Sequence, residues 1–181
     1  LIPLKSHSAH APLTYFFDAP GKMLRPMLIF SSHGLLSKPS SPDSYHNLVT
    51  LAAGLELLHS ASLIHDDILD QSPLRRGQTA LHAKFPPKMA LLCGDLLYSM
   101  ALARLKDILS KPELELLFDT TTIMCLAEIQ ALSPLPDIKT YLKNLEDKTA
   151  RLFQAACKLT GSLSGASIEE IEALGALGLG L

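Results

Sequence analysis

Apolar positions recur at helical spacing in several long segments of the chain, and clusters of Pro and Ser separate these segments. Each segment is longer than a typical strand and rich in Leu, Ala, Met, Glu and Lys, which favour helix. Ser167, followed by Glu169 and Glu170, is typical of a helix start, with a hydroxyl cap and acidic residues in the first turn. The sequence therefore predicts an all-α protein that needs no strands. The predicted helices cover residues 22–36, 45–70, 88–109, 112–132, 137–161 and 167 to the end.

The connecting segments are predicted as loops at residues 37–44, 71–88, 110–112 and 133–137, where Pro and Ser concentrate. The last stretch, residues 173–181, is apolar and ends without a polar cap. We expect such a helix to pack against a neighbour. Residues 1–181 are accordingly interpreted as one domain that is incomplete at its C-terminus.

The composition excludes several classes of function. Apolar residues make up 48% of the chain and charged residues 19%, so the chain is expected to fold. A net charge of -2, 6% aromatic residues and the absence of Trp argue against nucleic-acid binding. Cys93, Cys125 and Cys157 are widely spaced among apolar residues, which predicts buried free thiols and a reducing, cytoplasmic location. No apolar run of about 18 residues occurs, so no transmembrane segment is predicted.

Three carboxylates end the second predicted helix. At about 100° per residue, Asp66 and Asp70 share one face of the helix and Asp67 lies on its flank. Pro73 follows closely, so the patch lies near the helix C-terminus, where the macrodipole disfavours anions. A divalent cation removes this penalty and the mutual repulsion, and carboxylates suit Mg²⁺. A solvated acidic helix end is the alternative interpretation.

Basic residues flank the acidic patch in sequence. Arg75 and Arg76 can bind phosphate oxygens bidentately, and Gly77 allows the chain to turn sharply after them. Lys22 and Arg25 are spaced i, i+3, which places them on one face of a predicted helical turn. Placed five residues after the carboxylates, the two arginines indicate a diphosphate held between a metal ion and arginine. For Lys22 and Arg25 taken alone, a solvated helix start is the favoured interpretation.

The order of these motifs resembles the trans-polyprenyl diphosphate synthase family. The resemblance covers nearly the whole chain and rests on GKMLRP, ELLHSASLIHDDILD, SPLRRGQTALH, ALLCGDLLYS and EDKTARLF in that order. It implies an antiparallel helical bundle around a central cavity, a homodimer, and an enzyme that condenses isopentenyl diphosphate with an allylic diphosphate using Mg²⁺.

The resemblance also implies roles for individual residues. Asp66, Asp67 and Asp70 would hold Mg²⁺ on the allylic diphosphate, and Arg75 would contact that diphosphate. Lys148 would contact it too, with Thr149 beside the reacting carbons. The residues implied for isopentenyl diphosphate are Lys22, Arg25, His59 and Arg76.

The sequence departs from the family pattern in two ways. Pro20 replaces a glycine before Lys22, and Met23 replaces a basic residue. The family's second aspartate-rich motif does not occur before Leu181, so the chain alone is expected to be inactive. A non-catalytic subunit of a heteromeric synthase and a terpene cyclase are the alternatives. The intact DDILD and RRG motifs argue against the first, and the isopentenyl-site residues argue against the second.

Two small residues precede the acidic motif. In the family, bulky aromatics at the fourth and fifth positions before it stop chain elongation early, and here these positions are Ser62 and Ala61. An open channel at this level predicts products of geranylgeranyl length or longer.

Overall fold

The computed structural model describes residues 7–19, 21–36, 41–134 and 136–181, and within these ranges the chain is helical apart from one short hairpin. The all-α prediction is confirmed, although α1, α4 and the hairpin of β1 and β2 were not predicted. The predicted loop at residues 37–44 lies partly outside the described residues, and α3 begins within it. The elements are α1 (His10–Asp18), α2 (Leu24–Leu35), α3 (Pro42–Leu69), β1 (Leu74–Arg75), β2 (Gln78–Thr79), α4 (Leu81–Lys84), α5 (Pro87–Leu105), α6 (Lys111–Ala131), α7 (Ile138–Leu145), a π-turn (Glu146–Ala150), α8 (Arg151–Leu163) and α9 (Ile168–Leu179).

The chain packs as two compact units. The first unit contains Leu1–Met23 and Ala53–Arg104, and the second contains Leu24–Ala52 and Leu105–Leu181. The core of the first unit is formed by α1, the second half of α3, α4 and α5. Its buried side chains are Ala9, Leu13, Phe16, Ala61, Ile64, Leu81, Ala90, Cys93 and Leu97.

Helix α8 is the central element of the second unit, where it packs against α2, α6 and α9. Leu152, Leu159 and Cys157 on α8 are fully buried. An ion pair between Lys158 Nζ and Glu172 Oε2, 2.7 Å apart, joins α8 to α9. The predicted helix over 137–161 is interrupted by the π-turn, so that α7 and α8 are joined by one wider turn of backbone.

Helix α3 has the length and composition of a membrane-spanning helix, contrary to the expectation from the sequence. Its most apolar window of 18 residues has a mean hydropathy of 1.3, and half of that window is buried inside the protein. A buried core helix meets the same criterion, so this finding is weak evidence for a membrane span. Among the described residues it is the one helix that qualifies.

The cysteines are free, as predicted, but they are not all buried. Burial raises the pKa of the Cys93 and Cys157 thiols, so both resist deprotonation. Cys125 is exposed on α6, which contradicts the expectation that all three are buried.

The hydroxyl cap predicted at the start of α9 is confirmed, and Glu170 completes a capping box. The Glu170 backbone N–H donates to Ser167 Oγ at 3.2 Å, and the Ser167 N–H donates to Glu170 Oε2 at 2.7 Å. We expect Ser167→Ala to lower the free energy of unfolding by about 1 kcal/mol, because the first turn of α9 loses an acceptor for its backbone N–H groups. Urea unfolding monitored by circular dichroism measures the change. Ser99→Ala, at an exposed position inside α5, is the matched control and should leave stability unchanged or slightly raised. Equal losses in both variants would contradict the cap's contribution.

Candidate active site

The acidic end of α3 closes in a Schellman motif. Gln71 has a positive φ of 51°, and its N–H donates to Ile68 O at 3.4 Å, while the Ser72 N–H donates to Asp67 O at 3.0 Å. This pattern normally has glycine at the left-handed position. The motif ends the helix directly after Asp70, so the acidic patch occupies the last turn, as the sequence predicted.

Asp67 forms an ion pair with Arg75. Arg75 Nε donates to Asp67 Oδ1 at 2.9 Å and to Oδ2 at 3.1 Å, and Nη2 donates to Oδ1 as well. The Asp67 side chain is 2% exposed, whereas that of Arg75 is 31% exposed. The hydrogen bonds to Asp67 raise the pKa of the Arg75 guanidinium, and the charges of Asp66 and Asp70 add to this effect. The structure therefore brings all three aspartates and Arg75 into one cluster.

The three carboxylates are not equivalent. The described residues contain no group of three or more His, Cys, Asp or Glu side chains arranged to hold a metal ion. Asp67 is buried against Arg75, while Asp66 is half-buried and Asp70 is exposed one turn further on. Two carboxylates one turn apart on a helix face fit Mg²⁺, which commonly takes one or two carboxylates together with substrate phosphates.

The hairpin of β1 and β2 presents Arg76 on a strained backbone. Arg76 and Gly77 are its two connecting residues, with φ values of 52° and 80°. Positive φ at both positions is characteristic of a type I′ turn, which glycine adopts readily and arginine rarely does. The predicted sharp turn at Gly77 is therefore confirmed.

Three hydrogen bonds attach the hairpin to α1 and the residue that follows it. Arg76 Nη1 donates to Ala19 O at 3.0 Å. The Tyr15 hydroxyl donates to Thr79 O at 2.9 Å, and Gln78 Nε2 donates to Tyr15 O at 3.2 Å. These bonds fix the position of the RRG segment relative to α1 within the first unit.

The prediction that Lys22 and Arg25 share a face of one helical turn is wrong. Helix α2 begins at Leu24, and Met23 has a left-handed backbone with φ of 51°. Lys22 is exposed in the first unit. Arg25 belongs to the second unit, where it is 7% exposed and its guanidinium lies 4.5 Å from the centre of the Phe153 ring. Pro20, the other noted departure, lies outside the described residues.

Lys148 and Thr149 belong to the π-turn of the second unit. Lys148 Nζ pairs with Glu128 Oε1 of α6 at 2.7 Å, and Thr149 is exposed. Such turns insert one extra residue into a helix and are frequent at functional sites. No sequence signal predicts this turn, because the helical apolar pattern continues through the segment.

Charged side chains surround the π-turn. Asp147 accepts hydrogen bonds from Lys143 Nζ at 2.9 Å and from Arg151 Nε at 3.0 Å. Burial alone raises the pKa of Asp147, but these bonds and the two positive charges outweigh it and hold the pKa below its ordinary value. Asp147 therefore stays ionised near neutral pH. Its bonds link Lys143 on α7 to Arg151 on α8, across the π-turn.

Ser62 and Ala61, the two positions predicted to line the channel, differ in how deeply they are buried. Ser62 is half-buried, and its hydroxyl donates to His59 O at 2.9 Å. His59 itself is half-buried. Ala61 is 1% exposed and packs in the core of the first unit, so a larger side chain there would overpack that core.

Sequence reasoning missed a contact between α3 and α5. His65 Nε2 lies 3.3 Å from Leu91 O and 3.4 Å from Asp95 Oδ1. The ring sits so close to Gly94 that a β-carbon there would lie 2.3 Å from Nε2. This contact supports a structural role for Gly94 and attaches the acidic end of α3 to α5.

We expect Asp67→Ala to lower the free energy of unfolding by about 2 kcal/mol, because it removes the charged hydrogen bonds to Arg75. Asp70→Ala is the matched control. It removes an exposed charge from a helix C-terminus and should leave stability unchanged or raise it by about 0.3–1 kcal/mol. Thermal and urea unfolding measure both variants, and equal effects would show that Asp67 is not distinct from its neighbours.

Comparison with known proteins identifies the family. A sequence profile described as Polyprenyl synthetase matches residues 6–181. The chain is 36% identical over 177 residues to the geranylgeranyl diphosphate synthase of Methanosarcina mazei, covering 91% of this chain and 52% of that protein. It is 32% identical over 164 residues to the octaprenyl diphosphate synthase of Escherichia coli (strain K12), covering 88% and 49%.

A comparison with solved structures points to the same family. A crystal structure of a polyprenyl synthase from Caulobacter crescentus CB15, complexed with calcium and isoprenyl diphosphate, superposes with a TM-score of 0.85 at 31% identity. The match covers 93% of this chain and 51% of that one. The chain spans about half the length of these three relatives. With a profile match over nearly its whole length, the chain belongs to the polyprenyl synthetase family.

Proposed function

We propose that the whole protein is a trans-prenyltransferase that condenses isopentenyl diphosphate with an allylic diphosphate. The observation that carries this proposal is the cluster at the end of α3. There, two carboxylates one turn apart adjoin a guanidinium that Asp67 holds in place. Such a cluster combines a cation site with an anion-binding donor, which is what a metal-bound diphosphate requires.

The chemistry proposed for the site is ionisation followed by condensation. The allylic carbon–oxygen bond breaks, the double bond of isopentenyl diphosphate attacks the allylic carbon, and a proton leaves to the released diphosphate. Asp66 and Asp70 would hold Mg²⁺, which supplies positive charge to the departing diphosphate when bound. Preorganised positive charge at the leaving group stabilises the transition state more than the ground state.

Arg75 has a defined part in this proposal. Its bonds to Asp67 are made by Nε and Nη2, so Nη1 is the group that donates to a phosphate oxygen. Asp67 then acts by orienting Arg75, rather than as a metal ligand. This refines the sequence-based interpretation, in which all three aspartates hold the metal.

The roles of the other residues follow the family resemblance. Lys148 would contact the allylic diphosphate, exchanging its bond to Glu128 for one to phosphate, and Thr149 would lie beside the reacting carbons. Lys22, Arg25, His59 and Arg76 would bind isopentenyl diphosphate. The free cysteines agree with a reducing, cytoplasmic setting for the protein. A homodimer is also part of the proposal, and it follows from the family resemblance alone.

A non-catalytic subunit of a heteromeric synthase is the alternative. Such a subunit has no need to maintain a buried Asp67–Arg75 pair beside two further carboxylates. The same cluster is compatible with a terpene cyclase, but a cyclase has no need for Lys22, Arg25 and Arg76. Consumption of isopentenyl diphosphate therefore distinguishes the synthase from both alternatives.

In the full-length protein, we expect Asp66→Asn and Asp70→Asn each to lower kcat by about a hundredfold or more, because charge stabilisation of the leaving group is lost. Calorimetric titration with Mg²⁺ in the presence of inorganic pyrophosphate should show weaker metal binding in both. Asp119→Asn, at an exposed position on α6, should change neither quantity. Normal metal binding and turnover in the two site variants would rule out their role as ligands.

We propose products of geranylgeranyl length or longer, because Ser62 and Ala61 are small. Ser62→Phe should shorten the product by filling the channel one turn before Asp66, and chromatography of the extended products measures it. Ala61→Phe would disturb the packed core as well, so Ser62 is the cleaner test. Ser99→Phe on the exposed face of α5 should leave the product unchanged. A wild-type enzyme that stops at farnesyl diphosphate would contradict the open channel.

A further inference from the structure

The guanidinium of Arg76 lies in the place where a side chain at position 21 would be, next to the backbone of Gly21. A β-carbon added to Gly21 would lie 2.7 Å from Arg76 Nη2, 2.9 Å from Cζ and 3.3 Å from Nη1. These are the nearest atoms that such a carbon would meet, and all belong to one charged group. The side chain of Arg76 therefore occupies the space that any residue other than glycine would need at position 21.

The place of the guanidinium is set by several other contacts. Arg76 Nη1 donates to Ala19 O at 3.0 Å, and Cζ lies 5.8 Å from the centre of the Phe16 ring. The turn that carries Arg76 is attached to α1 through Tyr15. Arg76 consequently connects the hairpin to the short segment that leads from α1 to Lys22.

We propose that Gly21 is a positioning residue for the isopentenyl diphosphate site. By having no side chain, it lets Arg76 lie against the backbone next to Lys22, so that cations from two separate segments act on one diphosphate. This inference rests on the proposed function, which gives both cations that substrate. It adds a residue that touches no substrate and acts only through Arg76.

The physical consequence of a side chain at position 21 is specific. The group in the way is the far end of a long, flexible side chain, so it moves at little cost to the fold. Gly21→Ala should therefore displace the guanidinium and leave the protein folded. A displaced guanidinium loses its charged hydrogen bonds to the substrate, which corresponds to a loss in affinity of about tenfold or more.

A double-mutant cycle in the full-length protein tests the inference. The variants are Gly21→Ala, Arg76→Ala and the two combined, with Gly34→Ala as control, because a β-carbon on Gly34 meets no atom within 4 Å. The readouts are the Kd of isopentenyl diphosphate by calorimetry, the KM of each substrate, and the melting temperature. We expect Gly21→Ala to weaken isopentenyl diphosphate by about tenfold or more, with the allylic KM and the melting temperature near wild type.

The combined variant decides the mechanism. If Gly21 acts through Arg76, adding Gly21→Ala to Arg76→Ala has no further effect on the Kd. Two results would overturn the inference and leave the proposed function intact. The first is that the two substitutions have additive effects on the Kd of isopentenyl diphosphate. The second is that Gly21→Ala binds it with wild-type affinity although Arg76→Ala binds it weakly. A wild-type protein that neither binds nor consumes isopentenyl diphosphate overturns both.

Discussion

The concentration of negative charge at the C-terminal end of α3 is the constraint on which the first unit depends. Three carboxylates repel one another there and also oppose the helix dipole. One guanidinium relieves this, because Arg75 forms an ion pair with the buried Asp67. The hairpin that carries Arg75, its attachment to α1 and the Schellman turn at Gln71 all serve to place that arginine. Asp66 and Asp70 carry the carboxylate oxygens that a divalent cation prefers.

Backbone conformations that are rare for ordinary residues accompany the segments that carry the candidate site. Within the described residues, the non-glycine positions with positive φ are Met23, Gln71 and Arg76. Met23 directly follows Lys22, and Gln71 directly follows Asp70. Arg76 is itself a candidate residue for binding isopentenyl diphosphate. Each such backbone conformation costs about 1–3 kcal/mol of folding free energy, so it persists only where surrounding contacts compensate for that cost. Fixed contacts, such as the bonds from the hairpin to α1, offset this cost and keep the three segments in one conformation.

Most of the fold was predictable, because helical periodicity and capping are local properties of the sequence. The cap at Ser167 and the placement of Asp66 and Asp70 on one face follow from spacing alone. The sequence did not predict helix α1, because its aromatic residues and Pro12 have low helix propensity. The pairing of Asp67 with Arg75 was not predictable, since it joins a helix to a strand. Left-handed backbone at Met23 has no sequence signal either, and it invalidated the helical spacing assumed for Lys22 and Arg25.

The π-turn changes which kind of mutation the second unit can accept. Because the turn holds one residue more than a regular helical turn, it depends on the number of residues between α7 and α8 rather than on their identity. Deleting one residue from Glu146–Ala150 would let a regular helical turn span the same interval, so that α7 and α8 keep nearly the same phase. Asn144 Nδ2, which donates to Ala127 O at 2.7 Å, would then stay against α6. A deletion within the regular part of α8 would instead rotate every residue on one side of it by about 100°.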